Sequence, residues 1–310
     1  MNYEEFKEEL KNKFKDYLSD PYKEMEVSIQ PLNKTNRISD GLCLVGSDNA
    51  VPVMHIDKIY EVYKKLGFDE TLKMTATVYE KALNNAPEVN LDSKKIKQNV
   101  VFQLINTEQN RELLNNLPHR EYLDLSIVYR WVICIDKEEG MHSSFITNTL
   151  AEHLGVDEEQ LFMLAASNTK RIFPPIVKPI SDVIKEMFPD LDILDEIFEL
   201  ERPHKQMYVI SNEYKMLGAV AILYDDILHN LAEQLGSDLY ILPSSIDEVI
   251  AISTNLDNPD ALAQMVTEIN IQQVKLADRL SNQVYHYDRE SGKLTLATDT
   301  PNKSLYGVVE

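Results

Sequence analysis

Apolar residues recur along the chain at two different periods. Phe6, Leu10, Phe14 and Leu18 fall every four positions among Glu and Lys. That spacing predicts an amphipathic helix over residues 2–18, ended by Pro21. Residues 24–32 then alternate apolar and polar as a strand does. Residues 33–37 (NKTNR) are a polar turn, and residues 38–46 (ISDGLCLVG) are a second strand able to pair antiparallel with the first. Helical spacing returns over 57–66, with Gly67 as its C-cap, and over 69–85.

The middle of the chain changes period repeatedly. Residues 97–106 predict a strand. Thr107 is placed to cap a short helix after it, and residues 117–121 (LPHRE) form a turn. The run 122–136 is too β-branched and aromatic for a helix, so it predicts a strand, with 142–147 pairing back onto it. Thr147 caps a helix, a second helix ends at 172, and 174–179 (PPIVKP) breaks it. Acidic amphipathic segments at 181–188 and 192–201 read as solvated faces. In the last third, 206–212 and the apolar run 218–224 (GAVAILY) read as strands. Residues 225–236 predict a helix with Asp225 as N-cap and Gly236 after its end. Strands at 237–243 and 246–253, a helix from Pro259 and a hairpin around 289–292 (RESG) complete the pattern.

Irregular alternation with hairpin signals at both ends predicts an α+β fold. Its sheets are mainly antiparallel or mixed, with flanking amphipathic helices, in two lobes. The turn near residue 118 divides an N-terminal α+β lobe, 1–117, from a C-terminal α+β lobe, 118–310.

Composition narrows the function classes. Among 310 residues, 31 Lys and Arg face 51 Asp and Glu, a net charge of −20. Nucleic-acid binding depends on cationic contacts to phosphate, so direct binding is not expected, nor is an anionic membrane surface. No apolar stretch approaches a membrane span, and the start MNYEEFKEEL lacks the form of a signal peptide. The expected location is the cytoplasm. Cys43 and Cys134 sit in apolar runs and are expected to be buried, inert thiols. No histidine pair has metal-ligand spacing, so no metal and no cofactor is assigned; His229 is expected to pair with Asp225 or Asp226 on one helix face.

Three segments could carry a site. In 240–250 (YILPSSIDEVI) an apolar strand runs into Pro243, which cannot donate a ladder hydrogen bond. Ser244, Ser245, Asp247 and Glu248 follow. They can either serve local turn chemistry or bind a polar ligand or partner. Nucleophilic serine chemistry would need a base within hydrogen-bond reach, and no G-x-S-x-G elbow is present. In 164–175, Asn168 and Thr169 are read as a helix end, with a polar site at its exit as the alternative. In 208–224, Asn212 ends a strand ahead of Gly218, which a hairpin connection also explains.

Leu161, Ala165, Asn168 and Thr169, then YVISN, GAVAILY and LPSSIDEVI, resemble a family of unknown function frequent in low-GC Gram-positive gut bacteria. The resemblance covers most of the chain and carries no activity with it. Its relatives often have His at the place of Asp247, which weakens a general-base role there and leaves capping or binding intact. The resulting expectation is a non-catalytic interaction or regulatory protein with an acidic surface and a protein partner of unknown identity. The alternatives are a hydrolase-like enzyme or a small-ligand sensor with its polar site near Pro243–Glu248.

Overall fold

A computed structural model describes residues 1–45, 52–85, 92–136, 140–187, 207–255 and 258–300. The expected acidic segment 192–201 lies outside them. Helix α1 (Tyr3–Lys13) opens with a capping box, Asn2 and Glu5 each bonding the other's backbone amide. The four-residue stripe is fully buried, but α1 tightens into a 3₁₀ turn at Phe14–Tyr17. Pro21 then sits in the first turn of the short α2 (Asp20–Lys23) rather than ending α1, a place where its missing N–H costs nothing. Strands β1 (Glu26–Lys34) and β2 (Arg37–Val45) pair antiparallel from Glu26–Val45 to Lys34–Arg37, and β3 (Met54–His55) adds to β2. Helices α3 (Ile56–Leu66) and α4 (Phe68–Asn84) close a core of Phe6, Leu10, Phe14, Ile56, Leu72 and Tyr79.

After α5 (Ser93–Lys97), a four-stranded antiparallel sheet forms around the long β6 (Leu125–Asp136). β4 (Val100–Asn106) lies on one side of it. β5 (His119–Tyr122) and β7 (Gly140–Phe145) occupy successive parts of the other side. Between β4 and β5 comes the short α6 (Arg111–Leu114). Thr107 offers no side-chain cap there; its hydroxyl bonds Ser126 instead. The expected division at residues 117/118 falls inside this sheet, because β4 before it pairs with β6 after it. LPHRE has turn composition, yet its His119 begins a strand. The hydrophobic cores separate earlier, between Leu83 of the first and Ile96 of the second.

Helices α7 (Asn148–Leu154) and α8 (Glu158–Ile172) follow, the first capped by Thr147 as expected and the second by Asp157. The six-stranded antiparallel sheet has the order β13–β12–β10–β11–β9–β8. Its strands are β8 (Pro175–Pro179), β9 (Tyr208–Asn212), β10 (Leu239–Leu242), β11 (Val249–Ser253), β12 (Tyr285–Asp288) and β13 (Lys293–Leu296). The prolines of PPIVKP therefore do not merely break a helix: they sit in an edge strand, where a lost amide donor is tolerated. Helices α9 (Ile180–Met187), α10 (Asp225–Leu235) and α11 (Pro259–Gln272) flank this sheet's connections. Tyr224, not Asp225, occupies the N-cap position of α10.

The run GAVAILY, expected as a strand, is a buried 3₁₀ helix at Gly218–Leu223. An apolar run with no polar face fits either element, so its period cannot decide. Two local constraints do. Leu217 takes a left-handed φ of 55° with its N–H donated to Asp247 Oδ1 at 2.9 Å. A Cβ on Gly218 would stand 2.3 Å from the Asp247 carbonyl oxygen. The chain must turn here, and only glycine passes.

The β1–β2 turn is fixed from a distance. Asn36 is buried with φ 60°, a left-handed conformation that asparagine tolerates better than most residues. Its N–H donates to Asn110 Oδ1 at 2.7 Å, and Asn110 Nδ2 donates back to Asn36 Oδ1 at 2.8 Å. Asn36 Nδ2 donates to the carbonyls of Leu276 and Arg279, at 2.9 and 2.6 Å. One amide thus ties the hairpin to α6's approach and to the segment before β12. Asn36→Ala should lower stability by about 2 kcal/mol, because buried partners lose their bonds. Urea unfolding of the parent and variant checks this; an Asn36→Gly variant, which keeps the backbone angle, should lose nearly as much.

Candidate functional site

The connection Pro243–Glu248 between β10 and β11 is held mostly through its backbone. The carbonyls of Pro243 and Ser244 accept from Ser281 and Leu280 N–H, and Ile246 N–H donates to the Asp278 carbonyl. Ser245 bridges Arg279 as an isolated β pair. Its buried Oγ accepts the Asp247 N–H at 3.0 Å, a serine turn. Among the described residues no histidine or lysine bonds either serine. Ser245 is therefore occupied by local structure, without the base that nucleophilic chemistry needs.

The other sequence candidates part company. Asn168 and Thr169 lie in the last turns of α8, before its end, and both are buried. Asn168 Nδ2 donates to the carbonyls of Lys97 and Val100. Thr169 Oγ1 donates to Ala165 and accepts the Phe102 N–H at 3.0 Å. They bolt α8 to β4 and line no described cavity. Asn212 spends its amide on its own turn, Nδ2 to Met216 O and Oδ1 from Tyr214 N–H. Asn212 and Glu248 do share the rim of an open, mostly apolar groove of about 770 Å³ between α9 and the β8–β9–β11 face.

Asp247 looks the other way. It lines a second pocket of about 310 Å³ where the first two sheets meet the 216–217, 246–247 and 277–278 connections of the third. The lining also includes Lys34, Thr35 and Arg37 of the first hairpin, His55 of β3, Gln103 of β4, and Arg130 and Ser143 of β6 and β7. In a chain of net charge −20 this concentrates cations in one hollow. Lys34 and Arg37 stood in the sequence as an ordinary polar turn. Arg130 carried the better signal, a single cation inside the apolar run of VYRWV.

Arg130 is positioned with care for its geometry and none for its charge. Its Nε donates to Ser143 Oγ and its Nη1 to Gln103 Oε1, each at 3.0 Å. Its guanidinium lies 4.4 Å from the Phe145 ring centre. Gln103 Nε2 reaches on to Thr35 Oγ1 at 3.3 Å, so a hydrogen-bond line runs from the hairpin turn to Arg130. Neither Arg130 nor Lys34 has a carboxylate partner among the described residues. Removal from water pushes Arg130 down to about 10, which still leaves it charged at neutral pH. Desolvation, then Arg130 and Arg37, lower Lys34, although much of that residue's surface faces solvent. Burial, then Lys34 and Arg37, lower His55, favouring the neutral ring. Arg37 is paired with Asp57 at 3.1 Å, and its buried Nε has no hydrogen-bond partner.

A family model matches residues 3–289. The chain belongs to DUF5688, a family of unknown function. No curated protein and no solved structure matches it. For this DUF5688 chain the arrangement of side chains must therefore carry the functional argument. The described residues contain no group of three or more His, Cys, Asp or Glu able to hold a metal. Asp226 pairs with Lys170 at 2.9 Å rather than with His229. Cys43 is buried as expected, while Cys134, beyond the irregularity in the β6–β7 pairing, is exposed.

Burial, and to a lesser degree Asp278, raise the Asp247 carboxyl above its usual range, against the Leu217 N–H bond that lowers it. A carboxyl raised in the folded state contributes most below its unfolded pKa, about 3.9, and that contribution is lost as pH rises through the folded value. Asp247→Asn keeps an acceptor for Leu217 and removes the charge. Its stability relative to the parent should therefore improve between about pH 4 and pH 7. Urea unfolding across that range measures it.

Proposed function

We propose that this protein binds a small anionic ligand, a carboxylate or phosphate, in the pocket between its first two sheets and the connections of the third, and acts as a ligand-responsive regulatory protein rather than as a catalyst. One observation carries the reading. Arg130 is held by neutral partners and an aromatic ring, beside Lys34, with no carboxylate partner among the described residues. A desolvated cation without a counter-ion is costly, and burial of this kind is characteristic of a site that receives its counter-ion from outside. The planar guanidinium suits bidentate recognition of carboxylate or phosphate. The hollow is at the small end of the range for small-molecule sites.

The net charge of −20 supports the regulatory half. An acidic exterior repels free anions, so a local cationic hollow is selective by position, and an acidic face is available to a partner protein. No described helix is long and apolar enough to cross a membrane. An exposed free Cys134 fits a reducing compartment such as the cytoplasm.

Thermal unfolding in rising inorganic phosphate, with ionic strength held by chloride, tests the reading. Binding to the folded state should raise the unfolding temperature saturably, by the equivalent of about 2.7 kcal/mol at a hundredfold excess over Kd. Arg130→Gln should abolish the rise, and Arg130→Lys should retain part of it. A rise of equal size in Arg130→Gln would contradict the assignment.

A further inference from the structure

The pocket is lined by charges of both signs, brought from different parts of the chain. Lys34, Arg37 and Arg130 come from the first hairpin and β6, and Asp247 and Asp278 from the β10–β11 connection and the 276–281 segment. We propose that its ligand is an amino-acid-like zwitterion, bound with its carboxylate on Arg130 and Lys34 and its ammonium between Asp247 and Asp278. This rests on the anion-binding reading above and goes further by naming the ligand class.

The acids supply the second charge. Asp247 Oδ1 is engaged by the Leu217 N–H, and Asp278 lies close enough to help raise the Asp247 carboxyl, an effect that Lys275 partly offsets. Both residues are fixed by backbone. Asp278 accepts the Ile246 N–H at 2.8 Å, and the Asp247 carbonyl accepts the Ser211 hydroxyl at 2.6 Å. The hairpin carrying Lys34 is anchored by Asn36 to Leu276 and Arg279, on either side of Asp278. Fixed charges of both signs lining one hollow of about 310 Å³ match a molecule with a charge at each end. A phosphate or simple carboxylate would satisfy only the cations. A short α,ω-amino acid satisfies both, and a charge-assisted bond at the second end should tighten binding about tenfold or more.

Calorimetric titration of the full chain with β-alanine, 4-aminobutanoate and 6-aminohexanoate tests this against propanoate, butanoate and hexanoate. The expected result is that one amino acid of the series binds about tenfold or more tighter than its matched carboxylate. Asp278→Asn, alone and with Asp247→Asn, should erase that preference while the carboxylates bind no worse. Equal affinity of amino acids and carboxylates in the parent would overturn the zwitterion assignment and leave the anion site standing. A preference that survives the double replacement would overturn the placement of the ammonium. Binding of neither series, with no response to phosphate, would overturn both readings.

Discussion

The site exists because one buried amide holds a hairpin turn against a segment some 240 residues away in the chain. Asn36 adopts a left-handed turn conformation and spends its N–H, its Oδ1 and both Nδ2 hydrogens on Asn110, Leu276 and Arg279. The same 276–281 segment supplies the backbone partners of Pro243, Ser244 and Ile246. Two features far apart in sequence, the NKTNR turn and the PSSIDE connection, therefore hang from one strip of backbone. That shared support brings the cations of the first and the acids of the second into one hollow.

The charges in the hollow oppose the fold's economy. A guanidinium taken from water costs several kcal/mol in effective terms unless it is paired. Arg130 recovers part of this through Gln103, Ser143 and the Phe145 face, which hold it without neutralising it. Arg120, by contrast, has Glu158 and Glu159 within reach, at 2.9 and 2.6 Å. The contrast between the two arginines is the physical ground for treating Arg130 as part of a site.

Local pattern made most elements legible. The buried stripe of α1, the β1–β2 hairpin, the Gly67 and Gly236 helix ends and the Thr147 cap all follow from residues close in sequence. The α+β class with antiparallel sheets followed from those elements. Where pattern was uniform it misled: GAVAILY is apolar on every side, and a cap from Asp247 decided its conformation. LPHRE has turn residues, and pairing with β6 made part of it a strand. The PSSIDE segment was legible as a place of interest through Pro243 and its polar followers, and Asp247 does line the pocket. Its chemistry was not legible there. The cations that share the pocket with Asp247 come from β1, β2 and β6, and no spacing along the chain brings Lys34, Arg37 and Arg130 together. Asn168 and Thr169 illustrate the converse: polar residues in a buried helical turn serve helix-to-strand bonding when a β4 amide and carbonyl lie opposite them.

The central claim is that Arg130 presents an available positive charge to the pocket. The most direct measurement is the side-chain NMR resonance of the Arg130 guanidinium, assigned by its loss in Arg130→Lys, followed during titration with phosphate or a short amino acid. The account predicts a saturable shift of this resonance at ligand concentrations that leave the Arg120 signal unchanged. An Arg130 resonance that stays still, or moves only in step with Arg120 and overall ionic strength, would contradict it.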